Sequence, residues 1–269
     1  MNKKLRKIII GITLVIMILI IGIIVCDRIT INNQYHISEK NLQIPIFVYH
    51  NIVENESEIK YDYMQTSRET FEKQIIELQN YGYHFISYDD LIEYKNGNKK
   101  IYKKSCLITF DDGCEGVYRN AYPIIHKYNI PITIFIITDN INASGVVTWE
   151  EAKEMQDSGL VTIASHSTNH LEYTNLSKDQ AVTNVEESYK AIEKNLGIQD
   201  RKIFTYPYGL YTEEQVNTLK DRGYIQNLTD NKINKSKDLN LYSLHRCYPL
   251  NDSIYKILAK IAYRSIRYD

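Results

Sequence analysis

The stretch Cys106-Leu107-Ile108-Thr109-Phe110-Asp111-Asp112-Gly113 runs from an apolar, β-forming segment straight into two adjacent carboxylates. An apolar run of this kind is expected in the interior of a sheet, where unpaired charge is costly. A cation at the strand end removes most of that cost. One carboxylate can then ligate it while the other stays free to move protons. Gly113 allows the backbone to turn immediately afterwards. Taken alone, the run reads equally well as a solvated Asp-Asp-Gly turn.

A second apolar run, Leu160-Val161-Thr162-Ile163-Ala164, leads into His166-Ser167-Thr168-Asn169-His170. Two histidines four apart can face one metal if the segment turns helically. The plainer reading is a polar loop with two surface histidines. Beside the Asp pair, which also follows a strand end, they complete two imidazoles and one carboxylate with positions left for water. That is the donor set of a catalytic zinc-type centre. A third element, Phe204-Thr205-Tyr206-Pro207-Tyr208-Gly209, follows the short strand-like Lys202-Ile203. Proline and glycine fix a turn there from which the Tyr208 N–H can point into the site. It also reads as an ordinary aromatic corner.

Outward from these motifs, apolar runs alternate with capped helices. Ser67 is expected to cap a helix over 68–81 that Gly82 ends, with Phe71, Ile75 and Leu78 on one face. A short helix is expected over 89–94, and one over 117–128 with Pro123 kinking or interrupting it. Residues 131–137 give the clearest buried strand. Capping boxes at Thr148–Glu151, Ser177–Gln180 and Thr212–Gln215 open helices stopped by Gly159, Gly197 and Gly223. The alternation implies parallel strands covered by helices. In a parallel barrel the loops after the strands converge on one mouth, which is where all three motifs fall.

Thr109-Phe110-Asp111-Asp112-Gly113, then His166–His170, then the Pro207-Tyr208-Gly209 turn, in this order and spacing, resemble the polysaccharide deacetylase family (NodB-homology, carbohydrate esterase family 4). The resemblance covers 44–269 and implies an α/β fold, a distorted (β/α) barrel. It also implies metal-dependent removal of N- or O-acetyl groups from glycans. By motif position Asp111 is the general base, and Asp112, His166 and His170 are the metal ligands. The turn at Pro207, Tyr208 and Gly209 supplies an oxyanion donor and a wall of the sugar groove. Many members carry an arginine three residues before the proline of the third motif, steadying the base. This chain has Phe204 there, and Arg246 is the candidate to replace that arginine in space.

The run Ile46-Phe47-Val48-Tyr49-His50 resembles enzymes that deacetylate poly-β-1,6-N-acetylglucosamine, whose domain begins with a strand ending in Tyr-His. In them this histidine is the general acid, a role other members give to a histidine near the C-terminal end. Both candidates exist here, His50 and His245, with His50 preferred because it closes a clear strand. His245 otherwise reads as a partner group near the site. His36, His84 and His126 lack such context. Peptidoglycan, chitin or xylan deacetylases share this chemistry, and a non-catalytic, membrane-tethered glycan-binding protein is the rival outside enzymes. Two histidines and an aspartate suit Zn²⁺ and also accept Co²⁺, Ni²⁺ or Mn²⁺.

A basic tip, Lys3-Lys4-Leu5-Arg6-Lys7, precedes eighteen uncharged residues from Ile8 to Val25. Eighteen residues just cross a ~30 Å hydrocarbon core as a helix. No small-residue cleavage pattern follows, and Val25 is not the small residue a lipoprotein signal places before its cysteine. The expectation is an uncleaved signal anchor over 1–26, a linker over 27–43 and a deacetylase domain over 44–269, outside the cytoplasm. A net charge of −1 gives no electrostatic case for nucleic acid. The four cysteines form neither a disulfide framework nor a metal motif, and Cys114 is the one expected near the site. The expected partners are a polysaccharide and the membrane, and oligomeric state is not legible.

Overall fold

The structure is a computed structural model that describes residues 12–21, 35–36, 42–61 and 63–267. Eight parallel strands form its main sheet: β1 (Ile46–Tyr49), β2 (His84–Phe85), β3 (Ser105–Phe110), β4 (Ile132–Ile136), β5 (Val161–Ser165), β6 (Ile203–Thr205), β7 (Ile225–Leu228) and β8 (Leu244–His245). The order is β8-β7-β6-β5-β4-β3-β1, and β2 pairs only with the start of β3. The chain just past β8 then returns to β1. Val48 N–H donates to Cys247 O at 3.0 Å, and Cys247 N–H donates to Ile46 O at 2.9 Å. These two bonds close the sheet into a distorted, near-closed parallel barrel.

Alternate residues of a strand face opposite ways. One set, including Ile46, Leu107, Phe135, Ala164, Ile203, Ile225 and Leu244, forms a single buried cluster that fills the barrel. The other set, including Phe47, Ile108, Phe110 and Ile134, packs outward with Phe71, Ile75 and Leu78 of α1 (Arg68–Asn80). Register carries the inward set up the barrel. Asp111 is four residues beyond Leu107, Thr205 two beyond Ile203, Asn227 two beyond Ile225 and Arg246 two beyond Leu244. The barrel therefore changes from apolar to polar toward the C-terminal ends of its strands.

Outer helices are α2 (Tyr88–Lys95), α3 (Tyr122–Tyr128), α4 (Trp149–Asp157), α5 (Lys178–Leu196) and α6 (Glu213–Asp221). The capping boxes at Thr148, Ser177 and Thr212 form as the sequence predicts, and Ser67 Oγ accepts from Thr70 N–H. The helix expected over 117–128 divides. Val117–Ala121 is a π-helical turn, and α3 starts afresh with Pro123 in its first turn, where no N–H is needed. A further helix, α7 (Ile254–Arg267), packs Ile254, Ile257 and Ile261 into the outer core and had no sequence expectation.

The chain reaches β1 from its N-terminal end, where Gln43–Ile44 pairs with Asn234–Lys235. Of the predicted anchor, residues 12–21 are helical and the rest lies outside the described residues. Among the described residues no helix is long and apolar enough to cross a membrane.

Beyond β1, Asn51–Val53 pairs in parallel with Gln65–Ser67 and presses on Gly116. A Cβ at Gly116 would stand 2.1 Å from Asn51 Oδ1 and 2.3 Å from Ile52 O. Gly116→Ala is therefore expected to destabilise the fold by about 1–3 kcal/mol through overpacking, read as a lower midpoint in thermal unfolding. An unchanged midpoint would mean that this contact is not tight.

Candidate active site

The three predicted ligands converge. Asp112 Oδ1 lies 3.5 Å from both His166 Nε2 and His170 Nε2, and the two Nε2 atoms are 3.2 Å apart. Donor atoms on a tetrahedral ion with bonds of about 2.0–2.1 Å stand roughly 3.3 Å from one another. The observed triangle has that size. His166 Nδ1 lies 3.0 Å from Thr205 O, and a carbonyl only accepts, so Nδ1 carries the proton and Nε2 turns its lone pair inward. Asp112 Oδ1 is buried without a hydrogen-bond partner. An unpartnered carboxylate oxygen beside the inward lone pair of His166 is what a cation-binding set presents.

Burial favours the neutral imidazoles that ligation needs. It pushes His166 down to about 3 and lowers His170 as well. Burial also raises the Asp112 carboxyl to about 6. The two histidines converge without the helical turn that would have been one way to bring them together. Ser167 and His170 instead take left-handed backbone angles, with φ of 77° and 57°, and Asp112 does the same at 70°. His170 N–H is held on Ser167 Oγ at 2.9 Å. Left-handed backbone is uncommon for non-glycine residues and concentrates at functional sites.

Asp111 faces the other way, into Arg246. Nη1 and Nη2 of Arg246 donate to its two oxygens, each at 2.7 Å. Arg246 is fully buried, stacked over Phe135, and further bonded to the hydroxyls of Thr109, Thr205 and Thr229. Burial alone would raise the Asp111 carboxyl, but the Arg246 charge outweighs it and the net effect is a fall to about 2. Phe204, at the position of the expected arginine, points outward between Tyr173 and Tyr206.

Asp111, Asp112, His166, His170, His50, Tyr208 and Gly209 all line one cleft of about 700 Å³ at the mouth of the barrel. Pro207 is buried beneath the turn. Tyr208 has a left-handed backbone, φ 59°, and its ring lies edge-on to His170 at 4.5 Å between centroids. Gly209 fits because a Cβ there would meet Thr229 O at 3.0 Å. Cys114 lines the cleft too, and it, Cys106 and Cys247 are free thiols. His245 does not join them. Strand alternation sends it to the opposite face from Arg246, where its Nδ1 pairs with Asp230 Oδ2 at 2.9 Å.

A family model described as polysaccharide deacetylase matches residues 98–226. YxkH of Bacillus subtilis, itself named only provisionally as a polysaccharide deacetylase, is 32% identical over 209 residues, or 78% of this chain and 72% of that one. The poly-β-1,6-N-acetyl-D-glucosamine N-deacetylase of Staphylococcus aureus is 31% identical over 203 residues, 71% of this chain and 68% of its own. This chain belongs to the polysaccharide deacetylase family. Among solved structures, the Streptococcus pyogenes deacetylase PplD in complex with acetate matches with a TM-score of 0.74 at 26% identity, over 82% of this chain and 99% of that one. IcaB from Ammonifex degensii matches at 0.70 and 26%, over 81% and 97%.

The cleft of the deacetylase also holds residues that sequence reasoning passed over. Tyr248, Tyr61 and Tyr63 line the cleft, with Tyr248 stacked on His50. Tyr248 lies two residues beyond Arg246, on the same strand face, and that spacing was its available signal. For the metal site, titration with Co²⁺ or Zn²⁺ is expected to show one ion bound per chain. Asp112→Ala should abolish that binding. Retention of wild-type affinity would exclude Asp112 as a ligand.

Proposed function

We propose that this deacetylase removes N-acetyl groups from an N-acetylglucosamine-containing polysaccharide of the poly-β-1,6-N-acetylglucosamine type, at the cell surface or outside the cell. The observation that carries the reading is the division of labour between adjacent carboxylates. Asp112 turns to the two imidazoles and Asp111 is held apart by Arg246 in the same cleft. His50, at the end of β1 and in the cleft, supports the β-1,6 assignment, as do relatives named for that substrate.

Asp112, His166 and His170 would hold the metal, with Zn²⁺ the ion best suited to two nitrogen donors and one oxygen donor. When bound, such an ion lowers the pKa of its water to about 7 and polarises a carbonyl. Asp111 takes the proton of the attacking water. Its pairing with Arg246 keeps it ionised, as an acceptor must be, and fixes its orientation. The Tyr208 turn offers its backbone N–H to the oxyanion. His50 gives a proton to the departing sugar amine, a transfer that contributes about 10²–10⁴-fold in rate. His245, paired with Asp230 away from the cleft, takes no direct part.

The wild-type protein is expected to release acetate from β-1,6-linked N-acetylglucosamine oligomers faster than from β-1,4-linked ones, and to stop when a chelator is added. Asp111→Asn should keep the metal and lose at least about 10²-fold in kcat. Normal turnover by that variant would remove Asp111 as the base, and a preference for β-1,4 oligomers would redirect the substrate to chitin- or peptidoglycan-like glycans.

We further propose that residues 8–25 anchor the enzyme in the cell membrane with the barrel outside, as the basic tip and the apolar run favour. The full chain should sediment with membranes and its barrel should be digested by protease added to intact cells. Recovery in the soluble fraction, or protection from protease, would exclude this topology.

A further inference from the structure

We propose that Tyr248 is a positioning residue for His50, holding the imidazole by ring stacking in the orientation from which it protonates the leaving amine. This rests on the reading of His50 as general acid. A histidine that moves protons ordinarily has its second ring nitrogen fixed by a hydrogen bond to a carbonyl or carboxylate. His166 has such a bond, to Thr205 O. His50 is buried and its Nδ1 has no hydrogen-bond partner. What faces the ring instead is Tyr248, with centroids 5.9 Å apart and planes 5° from parallel. Aromatic rings prefer such offset stacking, and a large rotation of either one forfeits it.

The stack is anchored from behind by one side chain. Gln74 on α1 is buried, and its Oε1 accepts from the hydroxyl of Tyr49, the neighbour of His50, at 2.8 Å. Its Nε2 donates to Leu250 O and Asp252 O, both at 2.9 Å, just past Tyr248. The amide thus joins the side chain next to His50, through its oxygen, to the backbone just past Tyr248, through both its N–H donors. Closure of the barrel brings those same segments together, through the bonds between Val48, Ile46 and Cys247. His50 is held by covalent neighbours and a ring face, with no hydrogen bond spent on its buried Nδ1.

Leaving-group dependence reads this directly. Expelling a sugar amine requires a proton, whereas 4-nitrophenolate leaves without one. With an N-acetylglucosamine oligomer, Tyr248→Leu is expected to lower kcat by about 10–100-fold, a large part of the general-acid contribution. With 4-nitrophenyl acetate it should change kcat by less than about threefold. Tyr248→Phe, which keeps the ring, should recover most of the loss on the oligomer. In a His50→Ala background Tyr248→Leu should add nothing, as expected of two residues acting through one proton transfer.

Metal content and thermal midpoint identify a variant that fails to fold, and Tyr248→Met then takes the place of Tyr248→Leu. Equal losses on both substrates, no loss on either, or a full additional loss in the His50→Ala background would overturn the proposal. If His50→Ala itself slowed both substrates alike, the general-acid reading would fall, and this inference with it.

Discussion

The guanidinium of Arg246 and the carboxylate of Asp111 meet two-on-two inside the barrel, the arginine fully buried and the carboxylate nearly so. Taking both charges out of water costs several kcal/mol per ion, and attraction offsets this only when the geometry is close to ideal. Here two parallel bonds of 2.7 Å, three threonine hydroxyls and the face of Phe135 supply that geometry, with Arg246 Nε the one guanidinium nitrogen left without a hydrogen bond. The threonines come from β3, β6 and the end of β7. The pair therefore ties several strands together at the level where the barrel turns from apolar to polar. It also decides which of two adjacent carboxylates remains available for a metal.

The rest of the site follows from that orientation. With Asp111 turned inward to Arg246, the left-handed backbone of Asp112 aims its carboxylate at the two imidazoles. His166 is steered by the carbonyl of Thr205, whose hydroxyl also bonds Arg246. One residue of β6 thus orients both His166 and the arginine that pairs with Asp111. Left-handed angles at Asp112, Ser167, His170 and Tyr208 are strain that the surrounding barrel sustains.

The fold was legible wherever local chemistry governs it: the apolar runs, the capping boxes, and the placement of all three motifs after strand ends. The convergence of Asp112, His166 and His170 was legible because all three follow such ends closely in sequence. Other features needed the closed barrel. The histidine pair looked helical from its spacing, yet Ser167 and His170 converge through left-handed turns that no periodicity reveals. Arg246 could be suggested only because Phe204 stood where an arginine was expected. Its reach to Asp111 depends on β8 returning beside β1. His245 and Arg246 are neighbours in sequence and face opposite ways, so only a register could separate them. The helix over 254–267 escaped notice although its isoleucines at 254, 257 and 261 follow a helical repeat.

The chain joins the barrel at the N-terminal end of β1, and the cleft opens where the parallel strands finish. The point of attachment and the opening thus lie at opposite poles of the domain. A polymer lying across the opening is at the end of the barrel away from Gln43–Ile44, so the pairing that seats the start of the domain leaves that mouth uncovered.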